Sequence, residues 1–414
     1  MHSLLRPRIL AAVLAALMVA ASQAQAVVGP VVVFDADTGQ VLIEDRAGES
    51  WSPASLTKLM TAYLVFEALE AGELQLDQSI PVSQAAAQQP PSKIGISAGR
   101  SITVDLALRA LLVRSGNDIA VVLAEAVSGS EANFIDEMNA TAERLAMHGT
   151  RFANPHGLPD PLQVTTARDM GLLAGVLQTR FPQSRGYYSA PSVEVGGVMF
   201  RSRNNLMWEM PEADGMKTGF VCDSGFNLVA SATFGDRRLI SVVLGGKSAP
   251  SRNVLSRVLL ESAEALAQQP AERPTLVDIA STPAGAGQPH SMSRMVCEGI
   301  DRMTLTPPHV PENWGVSFGR YAYPLTAEAV LVGRLLAIDN PVAGRPRGIV
   351  EDDLGYLALV WNMSQRDALA LCERLPGHRA PCQVMSPHAF AQLAPAAGVA
   401  DSTAEAAPQD EGSQ

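Results

Sequence analysis

Apolar side chains are arranged along this chain in three textures. The first is an unbroken run from Ile9 to Ala21, preceded by Arg6 and Arg8 and followed by Ala24-Gln25-Ala26. Basic start, apolar centre and small-x-small site, in that order, read as a secretory signal peptide (residues 1–26) cleaved after Ala26. As a retained membrane anchor, the alternative, the run falls short of the roughly 20 residues that a span requires. The second texture is the short run bounded by turn residues, which predicts strands. Val31 to Phe34 and Val41 to Glu44 form such a pair around Asp35-Ala36-Asp37-Thr38-Gly39, and Val193 to Phe200, Gly215 to Phe220, Phe226 to Thr233 and Leu239 to Leu244 follow later. The third is helical spacing, clearest from Ser55 to Ala71, where Leu59, Tyr63, Phe66 and Leu69 fall on one face. Further helices are expected over Ser101 to Val113, Ile119 to Val127, Glu131 to His148 and Val254 to Gln268, with Asn154 to Asp160 a turn-rich loop.

A strand pair, a block of helices, more strands and a closing helix predict one antiparallel sheet covered by helices, over residues 27–268. From 269 to 312 proline, glycine and serine rise and periodicity fades, which reads as a linker with little structure. A smaller α/β unit is expected over 313–388. Its two related halves are Trp314 to Arg320 with a helix from Leu325 to Ile338, and Tyr356 to Trp361 with a helix from Ser364 to Leu375 and a strand from Cys382 to Met385. Residues 389–414, rich in Ala, Pro and acids, read as a disordered tail.

Composition narrows the classes. At 414 residues and 47% hydrophobic, with a net charge of −11, the chain has ample core and no basic stripe, which argues against nucleic acid as a partner. An exported chain tolerates disulfides. Of the four cysteines, Cys372 and Cys382 end a predicted helix and enter a strand that would pack beside it, so they are the expected pair. Cys222 and Cys297 read as unpaired, with a bond between them left open. The cysteine spacing fits no zinc site, and no metal or cofactor is implied.

Lysine is scarce: four among 31 Lys and Arg residues. Two of the four stand in Ser55-Leu-Thr-Lys58 and Lys217-Thr-Gly219. Arginine stays protonated in proteins, whereas a desolvated lysine near other cations loses its proton and serves as a base. At helical spacing, Lys58 lies beside the Ser55 hydroxyl, a weak nucleophile until a base takes its proton. Ser115-Gly-Asn117 supplies a hydroxyl for proton relay and an amide to hold the lysine or a substrate amide. Lys217 and Thr218 suit a substrate carboxylate, and Gly219 lets a ligand approach the strand closely. His156 is read as a loop residue with structural hydrogen bonds, Asp169 as a helix tether, and Lys93 and Lys247 as structural.

Each motif alone is common. Together, in this order, Ser-x-x-Lys, Ser-x-Asn and Lys-Thr-Gly form the signature of the penicillin-recognising serine enzymes. With Ser52-Pro-Ala-Ser-Leu-Thr-Lys-Leu-Met-Thr61, Leu111 to Asp118, Asn154-Pro-His-Gly-Leu158, Asp214-Gly-Met-Lys-Thr-Gly219, Gly225 to Ser231 and Leu239 to Gly245, the region Val27 to Gln268 resembles the low-molecular-mass serine D-alanyl-D-alanine carboxypeptidases. The resemblance implies the α/β (α+β) fold of serine β-lactamases and penicillin-binding transpeptidases, in a periplasmic enzyme associated with cell wall or membrane. It implies Ser55 as nucleophile, Lys58 as general base, Ser115 as proton relay with Asn117, and an oxyanion hole from the backbone of Ser55 and Phe220. Lys217 and Thr218, with Arg252, would hold the terminal carboxylate of a peptidoglycan stem peptide, and β-lactams would acylate Ser55. Phe220 departs from the polar residue that many relatives carry after Lys-Thr-Gly, and their second β-rich domain and basic amphipathic C-terminal helix are not apparent. Trp-x-Val-x-Phe-Gly at Trp314 and the Cys372/Cys382 pair make the C-terminal unit resemble a SPOR-type peptidoglycan-binding domain, so glycan strands are an expected partner. The alternatives are a β-lactamase or D,D-endopeptidase of the same fold, or a cell-wall-binding protein without catalysis.

Overall fold

The computed structural model describes residues 29–299, 313–338, 345–377 and 381–393. The predicted signal peptide, part of the predicted linker and the tail from 394 lie outside these residues. The main sheet has five antiparallel strands in the order β2-β1-β9-β8-β7: β1 (Val31–Asp35), β2 (Val41–Asp45), β7 (Ala213–Val221), β8 (Gly225–Phe234) and β9 (Arg237–Gly246). Its strands read as nearly continuous apolar runs because both faces are covered. On β1, Val32 and Phe34 face a block of helices, while Val31 and Val33 face a long C-terminal helix.

The block on the first face contains α1 (Lys58–Glu70), α2 (Asn117–Ser128), α3 (Glu131–Arg144) and α4 (Ala167–Arg180). The other face carries α5 (Ala249–Ala267), which starts in a capping box between Ser248 and Ser251 with Pro250 in its first turn. Leu255, Leu259 and Leu260 of α5 are at most 1% exposed. Burial of each contributes about 1.5–3 kcal/mol.

Three expectations change here. Residues 101–113 are not one helix: Ser101–Thr103 is strand β4, paired with β3 (Ser79–Pro81). Thr103 then caps a helix at Val104–Arg109 by accepting from the Leu106 N–H, and a π-turn follows over Ala110–Arg114. The expected strand over 193–200 is a hairpin, β5 (Ser192–Val195) and β6 (Val198–Arg201), around Gly196-Gly197. Third, the described part of the predicted linker has little regular structure but is bound along the catalytic region. Pro274 O accepts from Val41 N–H, Leu276 is buried, and Gly48 O accepts from Thr282 N–H. The segment closes with a disulfide between Cys222 and Cys297, 75 residues apart, which corrects the reading of these cysteines as unpaired.

The second sheet runs β11-β12-β10-β13: β10 (Trp314–Tyr321), β11 (Arg347–Asp352), β12 (Gly355–Met363) and β13 (Gln383–Met385). Helices α6 (Pro324–Leu336) and α7 (Gln365–Arg374) cover one face, where Val316, Phe318, Ala358 and Val360 point. Leu357, Leu359 and Trp361 point the other way, toward Phe390 of a short helix at Pro387–Ala391, which runs past the expected end of the unit at 388. Edge strand β11 was not foreseen, since Ile349 and Val350 are the only large apolar residues in its six. Cys372 and Cys382 are bonded, as expected. Helix α6 packs on α5, and Gly333 is what lets it: a Cβ there would stand 2.7 Å from the Val258 side chain. Lys247, read from the sequence as structural, donates to Glu328 Oε1 of α6 at 2.7 Å across this seam.

Candidate active site

Ser55 does not lie on the α-helix. It sits in a 3₁₀ turn, Ala54–Thr57, and the α-helix begins at Lys58. Three residues make one 3₁₀ turn, so the two side chains still eclipse, and Lys58 Nζ lies 3.1 Å from Ser55 Oγ. Lys58 is fully buried, and its Nζ also donates to Asn117 Oδ1 at 2.8 Å and to the His156 carbonyl at 2.6 Å. The Asn117 amide is oriented by its Nδ2, which donates to Pro90 O at 3.0 Å, so Oδ1 faces the lysine. A neutral amine has two N–H bonds and one lone pair. Two carbonyl-type acceptors take the two hydrogens, and the lone pair is left facing Ser55 Oγ. Burial first, then the nearby Lys217 charge, pushes the Lys58 ammonium well below the ordinary lysine pKa, against an opposing pull from Asp118. Asp118 is itself occupied, accepting from the N–H groups of Ile94 and Gly95 and so fixing the segment beside Asn117.

Opposite stands Ser115, in left-handed backbone with φ 68° at the end of the π-turn. Ala54, just before Ser55, is left-handed too, with φ 48°. Each such non-glycine position costs about 1–3 kcal/mol and is held by the surrounding structure. Ser115 Oγ accepts from Lys217 Nζ at 2.9 Å, and Lys217 also donates to Thr218 O at 2.8 Å. Lys217 is only 2% exposed and stands behind Ser115, away from the cleft surface, which differs from its expected place on a substrate carboxylate. Burial, with Arg203 and Arg252 nearby, lowers its pKa to about 7.

The cleft between these elements has a volume of about 420 Å³. Ser55, Ser115, Asn117, Thr218, Gly219 and Phe220 line it, with Arg203 and Arg252 as its cations and, among the described residues, no Asp or Glu in its walls. Arg252 is buried and donates to Asn227 O and Asn253 Oδ1, and burial brings its pKa to about 10. Strand β7 is the sheet's edge, so its outer side faces the Ser55 turn instead of another strand. A Cβ at Gly219 would come within 3.2 Å of the Ser55 and Leu56 backbone nitrogens, so glycine allows the approach. The Phe220 ring is 45% exposed and packs on Phe226, with centroids 4.4 Å apart.

His156 and Asp169 are structural, as expected. The His156 ring accepts from Leu158 N–H, and burial followed by the Lys58 charge lowers its pKa to about 3. Asp169 accepts from Gly149 N–H and Thr150 and pairs with Arg168. Two participants escaped the sequence reading. The His156 carbonyl contributes through backbone, which composition cannot signal. Arg203 sits in an irregular stretch after β6, where no spacing marks it.

The family model described as D-alanyl-D-alanine carboxypeptidase (peptidase S11) matches residues 17–248. The chain is 39% identical over 224 residues to D-alanyl-D-alanine carboxypeptidase DacC of Escherichia coli, covering 52% of this chain but only 56% of that relative. Among solved structures, penicillin binding protein 5 from Haemophilus influenzae matches with TM-score 0.56 and 35% identity over 57% of this chain and 70% of its own. Penicillin-binding protein D2 from Listeria monocytogenes, solved with cefotaxime bound, matches with TM-score 0.50 and 33% identity over 54% of this chain and 92% of its own.

Proposed function

Because the chain belongs to the peptidase S11 family of D-alanyl-D-alanine carboxypeptidases, we propose that it removes the terminal D-alanine from peptidoglycan stem pentapeptides through an acyl-enzyme on Ser55. The arrangement around Lys58 Nζ carries the reading: a buried amine whose two hydrogens are taken by Asn117 and His156 and whose third partner is Ser55 Oγ. In acylation, Ser55 Oγ attacks the carbonyl of the penultimate D-alanine as its proton passes to Lys58. The oxyanion is held by the Ser55 and Phe220 N–H groups. Ser115, whose Oγ accepts from Lys217, relays the proton held by Lys58 to the departing D-alanine nitrogen as the peptide C–N bond breaks. Thr218, Arg203 and Arg252 receive the terminal carboxylate, with Lys217 behind Ser115 adding positive field. Water then attacks the acyl carbonyl and releases Ser55.

A β-lactam presents a similar carboxylate and a strained amide, so it acylates the same serine. With no carboxylate among the described residues of the cleft wall to drive deacylation, the adduct persists, which favours this reading over a β-lactamase. Two disulfides suit an exported location, and no described helix is long and apolar enough to cross a membrane. The test is fluorescent penicillin and a stem pentapeptide given to the wild type and to Ser55→Ala. Stable labelling and D-alanine release, both lost in the variant, are expected; rapid penicillin turnover or no labelling sinks the reading.

The second sheet we assign to glycan binding. A four-stranded antiparallel sheet with two strand–helix halves is in keeping with the SPOR resemblance. Deleting 314–385 is expected to lose co-sedimentation with purified peptidoglycan, and unchanged binding would refute the assignment.

A further inference from the structure

The cleft has two chemically opposite flanks. Arg203 and Arg252 supply charge, whereas Phe220, Phe226 and Ala249 form an apolar wall beside them. Phe220 stands where many relatives carry a polar residue. It and Phe226 are direct cross-strand partners on β7 and β8, so their side chains share one face and their rings meet. The turn that joins them is held from three directions. Val221 N–H donates to Ser224 Oγ at 3.2 Å, Trp51 Nε1–H donates to Ser224 O at 2.9 Å, and Cys222 is bonded to Cys297. With its base fixed in this way, the Phe220 ring stays half exposed in the cleft wall and does not fold away into the core.

Position along β7 tells which part of a substrate meets this wall. Side chains alternate along a strand, so Thr218 and Phe220 point the same way, about 7 Å apart, while Lys217 turns the other way, to Ser115. Arg252 closes the corner from α5. Its Nη1 donates to Asn227 O, next to Phe226 in β8, and Ala249 lies one turn before it on the same helix face. A terminal carboxylate received by Thr218 and the arginines therefore anchors the last residue of the substrate at this corner. The side chain of that residue springs from the same carbon as its carboxylate, and a leucine-sized one extends about 4 Å from it. A methyl group is too short to cover the ring. A polar group laid against it would lose its water without gaining a partner.

We propose that the wall of Phe220 and Phe226 seats the side chain of the residue that leaves, and that it selects an apolar D-amino acid larger than alanine there. This selectivity rests on the carboxypeptidase reading and deepens it by setting the class of leaving residue. The cations fix the carboxylate that every C-terminal residue carries, and the aromatic wall discriminates among the side chains.

Three substrates test it: diacetyl-L-lysyl-D-alanine extended by D-alanine, D-leucine or D-asparagine, compared by kcat/KM. Leucine and asparagine branch alike and are close in size, so their ratio reads polarity alone. The wild type is expected to release D-leucine no more slowly than D-alanine and about tenfold faster than D-asparagine, within the range of discrimination by an apolar pocket. Phe220→Ser keeps the backbone N–H and removes the ring, and should bring the leucine-to-asparagine ratio close to one whatever happens to the absolute rates. Ala249→Leu fills the corner and should lower D-leucine release relative to D-alanine by about tenfold. The two variants act on different ratios, so either alone suffices. Equal release of D-leucine and D-asparagine by the wild type, slower release of D-leucine than of D-alanine, or a ratio unmoved by its variant would overturn the role of the wall and leave the carboxypeptidase reading standing. Absence of release of all three residues and of penicillin labelling in the wild type would instead overturn the reading beneath it.

Discussion

The cleft and the seam between the two sheets each bury lysine, and they treat it in opposite ways. At the seam, Lys247 meets Glu328 directly at 2.7 Å, with the two side chains 5% and 10% exposed. In the cleft, Lys58 and Lys217 meet hydroxyls and carbonyls and, among the described residues, bond no carboxylate. A buried ammonium bonded to its counter-ion is held in the charged form; one surrounded by neutral acceptors and other cations is pushed toward the amine. Burial alone therefore does not mark a catalytic lysine. The proposed mechanism asks in addition for the absence of a bonded counter-charge and a nucleophile at hydrogen-bond distance, and Lys58 has both among the described residues.

The largest break in this comparison comes from Lys58→Arg. A guanidinium cannot accept the Ser55 proton and does not fit the amine's three partners. Penicillin acylation is expected to fall by about a thousandfold or more, in the range of a lost general base. Lys217→Arg keeps the positive charge behind Ser115, so a loss of about tenfold is expected. Equal losses would mean that the two lysines do not divide into base and cation.

The pH profile sharpens the same division. If Lys58 is the base, acylation needs it unprotonated, and kcat/KM should rise as pH climbs through the lowered Lys58 pKa. Lys217, brought to about 7, loses its charge above neutrality and weakens the field on the carboxylate. Hence kcat/KM for a carboxylate-terminated peptide declines above about pH 7, by about tenfold, while the arginines persist. In Lys217→Arg that falling limb should vanish, because guanidinium does not titrate in this range. A wild-type profile that rises without a break to pH 9 would defeat the assignment of charge to Lys217.

What could be read from sequence follows the same physical line. The sheet was legible because β1, β8 and β9 are apolar on both faces, and the cleft because Ser55, Lys58, Ser115, Asn117 and Lys217 stand in ordered motifs whose side-chain types suit the proposed chemistry. Features held by tertiary contact were not. Ser101-Ile-Thr103 carries the cap of the next helix and so looked helical, yet its backbone pairs with Ser79–Pro81. The 269–299 segment contributes only two single-turn helices, Leu276–Asp278 and Ser293–Val296, too short to show a periodicity; a bridge to Gln40, a bond to Gly48, two bonds to Asp223 and the Cys222–Cys297 disulfide fix it. Lys217 lies on the expected strand, but nothing local told that its amine turns inward to Ser115.

The smallest catalytic effect, and the cleanest contrast, is expected at the seam. Glu328→Gln keeps shape and removes the counter-charge, leaving Lys247 buried beside a neutral amide. Removing one partner of a buried pair costs about 3 kcal/mol. The loss should appear as a lower urea midpoint and faster hydrogen exchange in α5 and α6. Penicillin acylation should stay at the wild-type rate, because Lys247 is bonded to α6 of the second unit and does not line the cleft. Replacing both partners, Lys247→Met with Glu328→Leu, removes the buried charges together and should restore much of the stability. If Glu328→Gln instead slowed acylation as strongly as Lys217→Arg, the seam would be part of the catalytic machinery and the contrast drawn from its bonded counter-charge would fail.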